Sequence, residues 1–217
     1  ATLRRSFRAH VARRGALSQL DFFHVQMREA VALRSLAIPK QIQSLHRVIA
    51  DHLESLADND PLRISELMVH LIAGDEPDRA ARVYAELPHR SSALAAATQA
   101  LAQHVQSGDA DTRRANTAWV ASLLIQSNLT LQQVANLANR FNFHLQDSLA
   151  NTTDLATCRS LLQAARSAQE RLAAADPGNA DWQYDLSVSQ NRIGEVLSAQ
   201  GDLSAALASY RASCLLY

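Results

Sequence analysis

The chain has 217 residues, enough for one large domain or two small ones. Its 21 basic residues balance its 21 acidic residues, so no overall field favours nucleic acid or an anionic membrane as a partner. Hydrophobic residues make up 47%, aromatic residues 5%, and glycines number only 6, which favours helices over sheets. No apolar run approaches membrane-spanning length, so we expect no membrane partner.

The N-terminal segment mixes helical and strand-like patterns. A first helix is predicted over Leu3–Arg14, ending at Gly15. A short strand is predicted within Leu17–Phe23, because the apolar residues there cluster without helical spacing. A helix follows over His24–Leu36, and Pro39 stops it.

Two further helices are predicted before residue 74. The first has an apolar stripe at helical intervals, formed by Ile42, Leu45, Val48, Ile49, Leu53 and Leu56. The polar run Asp58–Asp60 ends it and caps the second helix, whose first position is Pro61. Gly74–Pro77 then forms a turn into a short helix that bears Tyr84, which predicts a degenerate helical hairpin.

This N-terminal third resembles part of the STAND-type signalling NTPases, which include the NACHT and NB-ARC-like proteins. Phe22–Val31 looks like the end of their winged-helix domain, and Leu45–Leu53 and Glu66–Leu71 are similar to the helical arm that follows it. The resemblance covers roughly residues 1–90. It implies that His24 contacts the phosphates of bound ADP when the NTPase core is present.

The phosphate-binding elements of that family are missing from these residues. No G-x-x-x-x-G-K-[ST] loop occurs, and no acidic strand of Walker-B type is visible. We therefore expect no cofactor here, although ADP or ATP would belong to a full-length STAND protein.

The middle of the chain reads as a series of helices. An Ala-rich helix is predicted over Ser91–Gln106, followed by another over Trp119–Ile125. Thr130 is a good N-cap for the next helix, whose apolar stripe is Val134, Leu137, Phe141, Leu145 and Leu149. A long helix capped by the polar run 151–154 ends near Ala175.

The last residues, 180–217, carry the most specific pattern in the chain. Small residues at Gly194 and Ala206 would let two helices approach, and Gly201 would allow a tight turn between them. The repeat-packing set is Ile193, Gly194, Leu197, Gly201, Ala206 and Tyr210. This spacing resembles a tetratricopeptide repeat (TPR), truncated before its closing proline, with Gln190 at the position usually held by tryptophan.

Catalytic and metal-binding patterns are weak. The chain has 8 histidines, and none of them forms an H-E-x-x-H motif, so we expect no metal site and no enzyme. Cys158 and Cys214 fit no metal spacing and are predicted to be buried or half-buried thiols, which favours a reducing, cytoplasmic location.

These observations predict an all-α chain of stacked antiparallel hairpins, a TPR-like α-solenoid with a small winged-helix remnant at its N-terminus. The predicted divisions are a winged-helix-like end (residues 1–36), a helical arm (37–108), a helical linker with degenerate TPR-like hairpins (109–179) and the truncated repeat (180–217). The predicted function is a non-catalytic regulatory or scaffolding segment that links a nucleotide switch to a TPR sensor for a protein ligand. The alternative is a free-standing TPR-like adaptor.

The C-terminal helix also predicts self-association. If no further repeat covers it, an apolar face formed by Leu203, Leu207, Leu215 and Leu216 would be exposed, together with part of Tyr210. In a longer protein we expect the next repeat to cover this face, and in residues 1–217 a second copy of the chain. The partner expected for the repeat array itself is a protein or peptide ligand.

The missing phosphate-binding loop generates a first prediction. Purified residues 1–217 should show no ATPase activity and no measurable affinity for ATP or ADP in calorimetry. Tight nucleotide binding would contradict this and would assign a new role to His24.

Overall fold

The computed structural model describes residues 11–14, 19–22, 39–149 and 154–216. The chain divides into two compact units, Ala1–Asp75 and Glu76–Tyr217. Across the described residues it is helical apart from one two-stranded sheet, so the prediction of a mainly helical chain is confirmed. None of the described helices is long and apolar enough to span a bilayer.

The sheet of the first unit is an antiparallel pair, β1 (Val11–Arg14) and β2 (Gln19–Phe22). The predicted strand within Leu17–Phe23 is therefore present. The predicted helix over Leu3–Arg14 is wrong at its end, because residues 11–14 pair with β2 and obtain their hydrogen bonds from it. The predicted helix over 24–36, with His24, lies outside the described residues.

Two helices complete the described part of the first unit, α1 (Pro39–Glu54) and α2 (Pro61–Ala73). The predicted start of α2 is confirmed: Asp60 is its N-cap, and the carboxylate accepts hydrogen bonds from the backbone N–H of Leu62 and Arg63. Such a cap satisfies two of the backbone donors that a helix leaves open at its start.

Side chains join α1 to α2 at both ends of the pair. Arg47 Nε donates to the carbonyl of Gly74 at 2.9 Å, and Arg63 Nη1 donates to the carbonyl of Leu56 at 2.6 Å. These contacts show that the two helices run antiparallel. The buried apolar residues of this pair are Ala50, Leu53, Leu67, Met68 and Leu71. Leu45 and Val48 of the predicted stripe stay exposed.

The second unit consists of helices α3 to α10. Their bounds are α3 Pro77–Glu86, α4 Ser92–Gln106, α5 Ala110–Ser122, α6 Leu131–Arg140, α7 Gln146–Leu149, α8 Leu155–Ala175, α9 Ala180–Ala199 and α10 Leu203–Cys214. A 3₁₀ turn, Leu123–Ile125, extends α5, and a π-helical turn, Phe141–Leu145, joins α6 to α7.

Helix α5 begins earlier than predicted. The sequence predicted a helix over Trp119–Ile125, whereas α5 starts at Ala110 and Asp109 caps it by accepting from the N–H of Thr112 at 2.8 Å. The first half of α5 is polar and carries no apolar stripe, so periodicity alone did not reveal it.

The start of α6 agrees with the prediction. Thr130 and Gln133 form a reciprocal capping box, in which each side chain accepts a hydrogen bond from the backbone N–H of the other residue. The buried stripe of Leu137, Phe141, Leu145 and Leu149 then runs from α6 through the π-turn into α7.

Two histidines meet at the seam between α1 and α2. His46 Nδ1 lies 2.8 Å from His70 Nδ1, so one ring donates and the other accepts. Partial burial lowers the pKa of His70, and His46 lowers it further, while Glu66 acts in the opposite direction. If both rings were protonated, neither Nδ1 could accept the hydrogen bond.

This pair predicts that the chain loses stability on acidification. The folded-state pKa of His70 lies below the unfolded value of 6.5, so the stabilisation is complete above about pH 7 and is lost as the pH falls through that lower pKa. The melting temperature should therefore fall as the pH is lowered from about 7.5 to about 5. His70→Gln should make the melting temperature depend less steeply on pH.

The matched control is His52→Gln, since His52 is exposed on α1. An identical pH slope in the wild type and in His70→Gln would contradict a role for the pair.

Candidate binding site

The predicted repeat-packing residues lie together in a helical hairpin formed by α9 and α10. Ile193, Gly194 and Leu197 are buried on α9, and Ala206 is buried on α10. Tyr210 of α10 is half-buried, and Gly201 lies in the connection between the two helices. The geometry brings the two small residues and the tyrosine to the same interface.

The closest approach in this hairpin is at Gly194. A Cβ atom placed on Gly194 would lie 2.6 Å from Cε1 and 2.9 Å from Cδ1 of Tyr210. Side-chain atoms do not approach that closely, so the tyrosine ring fills the space that glycine leaves.

The connection of the hairpin depends on Gly201 and Asp202. Gly201 has a φ of +83°, a conformation that strongly favours glycine. The Asp202 carboxylate accepts from the backbone N–H of Ala205 at 3.1 Å and caps α10. This hydrogen bond, and another that the Ser204 hydroxyl donates to the same carboxylate, lower the pKa of Asp202. The conformation of the turn is therefore determined by Gly201 and Asp202 themselves.

The predicted association face is largely exposed. Leu203 is 68% exposed, Leu207 is 50% exposed and Leu215 is 87% exposed, whereas Leu216 is half-buried. Leu203 and Leu207 are four residues apart on α10 and therefore lie on the same side of the helix.

A buried polar network, which sequence reasoning missed, joins α9 to the rest of the second unit. Asn142 Nδ2 donates to Ser189 Oγ at 2.7 Å, and Ser189 Oγ donates to Gln169 Oε1. Gln169 Nε2 donates to Asn139 Oδ1 at 3.1 Å, and Asn139 Nδ2 donates to Asp185 Oδ2 at 2.8 Å. We call these five residues the amide ladder.

The ladder ends on a partly buried carboxylate. Burial raises the pKa of Asp185, and the nearby Asp181 carboxylate raises it further. The hydrogen bond from Asn139 acts in the opposite direction. At the other end, Asn142 is fully buried and its Oδ1 has no hydrogen-bond partner. The ladder thus crosses from α6 and the π-turn to α8 and α9.

Arg140 is a second polar group that sequence reasoning missed. It is only 2% exposed, its Nη2 donates to the carbonyl of Leu87, and its guanidinium lies 5.5 Å from the centre of the Tyr84 ring. Its Nε and Nη1 have no hydrogen-bond partner. A buried guanidinium with two open donors is costly, and burial accordingly lowers the pKa of Arg140.

The Tyr84 ring that packs against Arg140 is itself fixed by a hydrogen bond from its hydroxyl to Thr98. Thr98 Oγ1 donates to the carbonyl of Leu94 at 2.7 Å, so in its 2.9 Å contact with Tyr84 the tyrosine hydroxyl is the donor. Burial raises the pKa of Tyr84 to about 12. The phenol therefore stays neutral beside Arg140.

A groove of about 650 Å³ opens along α4 in the same unit. One wall is the face of α4, which mixes polar and small or apolar residues: Ser91, Leu94, Ala95, Thr98, Gln99, Ala102, Gln103 and Gln106. The other wall is formed by His144 of the π-turn and by Asp147 and Ser148 of α7, and Arg90 lies at one end. The groove, the amide ladder and Arg140 all meet the helix that runs from α6 to α7.

The groove lining holds one basic and one acidic side chain, Arg90 and Asp147, together with His144. Burial lowers the pKa of His144, and nearby Arg140 and His89 lower it further, while Asp147 acts in the opposite direction. His144 is therefore largely neutral at neutral pH, and Arg90 is the exposed full positive charge in the lining.

Some signals for this region were present in the sequence. The glutamines of α4 recur at positions 99, 103 and 106, which places them on one helical face. The partners of that face come from residues about fifty positions later, which no local pattern reveals.

The remaining sequence predictions concern His24, a metal site and the two cysteines. His24 lies outside the described residues. In the part of the chain that the structure describes, no group of three or more His, Cys, Asp or Glu side chains is placed to hold a metal ion. Cys158 is buried as expected, whereas Cys214 is exposed because it lies on the outer side of α10.

Comparisons of the chain with models of known protein families, with characterised proteins and with solved structures found no match.

The Gly194–Tyr210 contact generates a double-mutant prediction. Gly194→Ala should destabilise the chain by about 1–3 kcal/mol, because the new Cβ overlaps the tyrosine ring. In a Tyr210→Ser background the same change should be neutral or stabilising, since alanine is the better helix former. Thermal or urea unfolding measures both.

Gly178→Ala is the control for this cycle, because a Cβ there would meet only Asp176 Oδ1 at 3.6 Å. A rise in melting temperature for Gly194→Ala in the wild-type background would refute the close contact.

Proposed function

We propose that this chain is a non-catalytic scaffolding segment whose terminal hairpin is a TPR-like repeat that binds another polypeptide. The observation that carries the proposal is the α9–α10 hairpin, in which Tyr210 fills the space at Gly194 while leucines of α10 are exposed. Repeats of this kind bury their apolar faces against a neighbouring repeat or a partner. An exposed leucine stripe beside a packed interface therefore favours association.

A narrower proposal places the segment in a STAND-type protein, between a nucleotide switch and a TPR sensor. It rests on the resemblance of residues 1–90, of which α1 and α2 are the described helical pair. A phosphate-binding loop encoded directly upstream of residue 1 would support it. An initiating methionine directly before residue 1 would favour the free-standing adaptor instead.

Light scattering tests the association surface. At tens of micromolar we expect residues 1–217 to form dimers or larger species. Leu207→Glu combined with Leu215→Glu should shift the chain toward monomer, because both side chains are exposed on the proposed face and a buried charge there would be unpaired. Circular dichroism should show unchanged helix content.

The matched control is Gln163→Glu combined with Ser167→Glu, which adds two negative charges at exposed positions of α8, outside the leucine face of α10. These changes should leave the association intact. A wild-type chain that stays monomeric at tens of micromolar would contradict the proposed association face.

A further inference from the structure

We propose that the groove along α4 binds an extended peptide of about seven residues and that Arg90 receives an acidic group of that peptide. This inference rests on the proposed polypeptide-binding function and names a site and a ligand class for it. The site lies in the second unit and shares no residue with the leucine face of α10.

The dimensions of the groove fit a short extended chain. Its α4 wall runs from Ser91 to Gln106, a helical rise of about 22 Å. An extended peptide advances about 3.3 Å per residue, so about seven residues cover that length. The volume of about 650 Å³ belongs to an open channel, which leaves room for side chains to point outward.

The polarity of the α4 wall fits a peptide backbone. Gln99, Gln103 and Gln106 are exposed in the groove, and each amide offers both donors and an acceptor. Residues four apart on a helix are separated by about 6 Å along its axis, and alternate residues of an extended chain by about 6.8 Å. Gln99 and Gln103 therefore meet peptide groups that point the same way, whereas Gln106 follows Gln103 by only three residues, about 4.5 Å along the axis.

Other polar groups of the groove are less suited to that role. The Thr98 hydroxyl is already held by Tyr84 and by the carbonyl of Leu94. The Ser91 hydroxyl accepts from the backbone N–H of Leu94 as the N-cap of α4. The glutamine stripe is thus the part of the wall that is free to recognise a backbone.

The charged side chains of the groove determine where an acidic group of the ligand would bind. Arg90 is exposed at one end of the groove, with His89 and Arg140 close enough to act on His144. Asp147 is the acidic side chain of the lining and would repel a carboxylate placed next to it. An acidic side chain or a terminal carboxylate is therefore favoured beside Arg90.

A defined probe tests this site. A bead-bound library of random heptapeptides is screened with the fluorescently labelled full chain of residues 1–217, and the selected peptides are measured by fluorescence anisotropy. We expect enrichment of an acidic residue at one position. Arg90→Glu should weaken binding of the selected peptides by about tenfold or more, because an attractive charge pair becomes a repulsive one.

Two matched controls separate the groove from general surface charge. Arg82→Glu makes the same reversal at an exposed arginine of α3 outside the groove lining, and it should leave the affinity within about twofold. Gln103→Ala should weaken binding, whereas Gln132→Ala, at an exposed glutamine of α6, should not.

The outcomes distinguish this inference from the proposed function. Selected peptides that bind equally well to Arg90→Glu and Gln103→Ala would overturn the groove. If their binding is lost instead in Leu207→Glu, the scaffolding function stands and its site is α10. A library that yields no enriched acidic peptide also overturns the groove, while light scattering still tests the association face independently.

Discussion

The architecture of the second unit depends on the amide ladder. Its side chains come from α6, the π-turn, α8 and α9, and they are largely removed from water. A buried amide left without a partner costs about 1–3 kcal/mol, so the network is stable only when the helices meet in one register. Helices that met through an apolar interface of similar size could shift along one another, whereas hydrogen-bonded amides hold them in one register. The position of α9, the first helix of the terminal hairpin, follows from that register.

The π-turn places residues of one continuous helix both in the amide ladder and in the wall of the groove. Leu137, Phe141, Leu145 and Leu149 are separated by four residues each and are all buried. Three such steps would turn the stripe by about 120° around an ideal α-helix. A π-turn contains more residues per turn and keeps the stripe facing the core. The same turn buries Asn142 in the ladder and places His144 in the wall of the groove.

Two surfaces of different chemistry follow from one fold. The exposed face of α10 is apolar and suits the stacking of another helical element, whether from a partner or from a second copy. The groove along α4 carries three glutamine amides beside small and apolar residues, with Arg90 at one end, and we propose an extended peptide with an acidic group as its ligand. If both proposals hold, the chain would bind two polypeptides, one at each surface. The His46–His70 pair in the first unit is predicted to make the stability of the chain depend on pH.

The sequence by itself determined the local structure of much of this chain. Asp60, Thr130 and Asp154 were readable as helix caps because capping uses residues within three positions of each other. The small residues Gly194 and Ala206 were readable as one helix contact because the turn between them is short, whereas the seating of the Tyr210 ring against Gly194 came from the structure. The end of the predicted first helix was wrong, since strand pairing at Val11–Arg14 depends on a second segment.

Only the tertiary structure decided the buried polar network and the groove. Asn142, Gln169 and Ser189 look like ordinary polar residues of exposed helix faces until α6, α8 and α9 pack together. Arg140 likewise reads as a solvent-exposed basic residue near a helix end, and its burial follows from α3 and the loop at Leu87 packing over it. Local sequence carries propensities and caps, which act over a few residues. Which distant side chain satisfies a buried donor depends on how the helices are arranged in space.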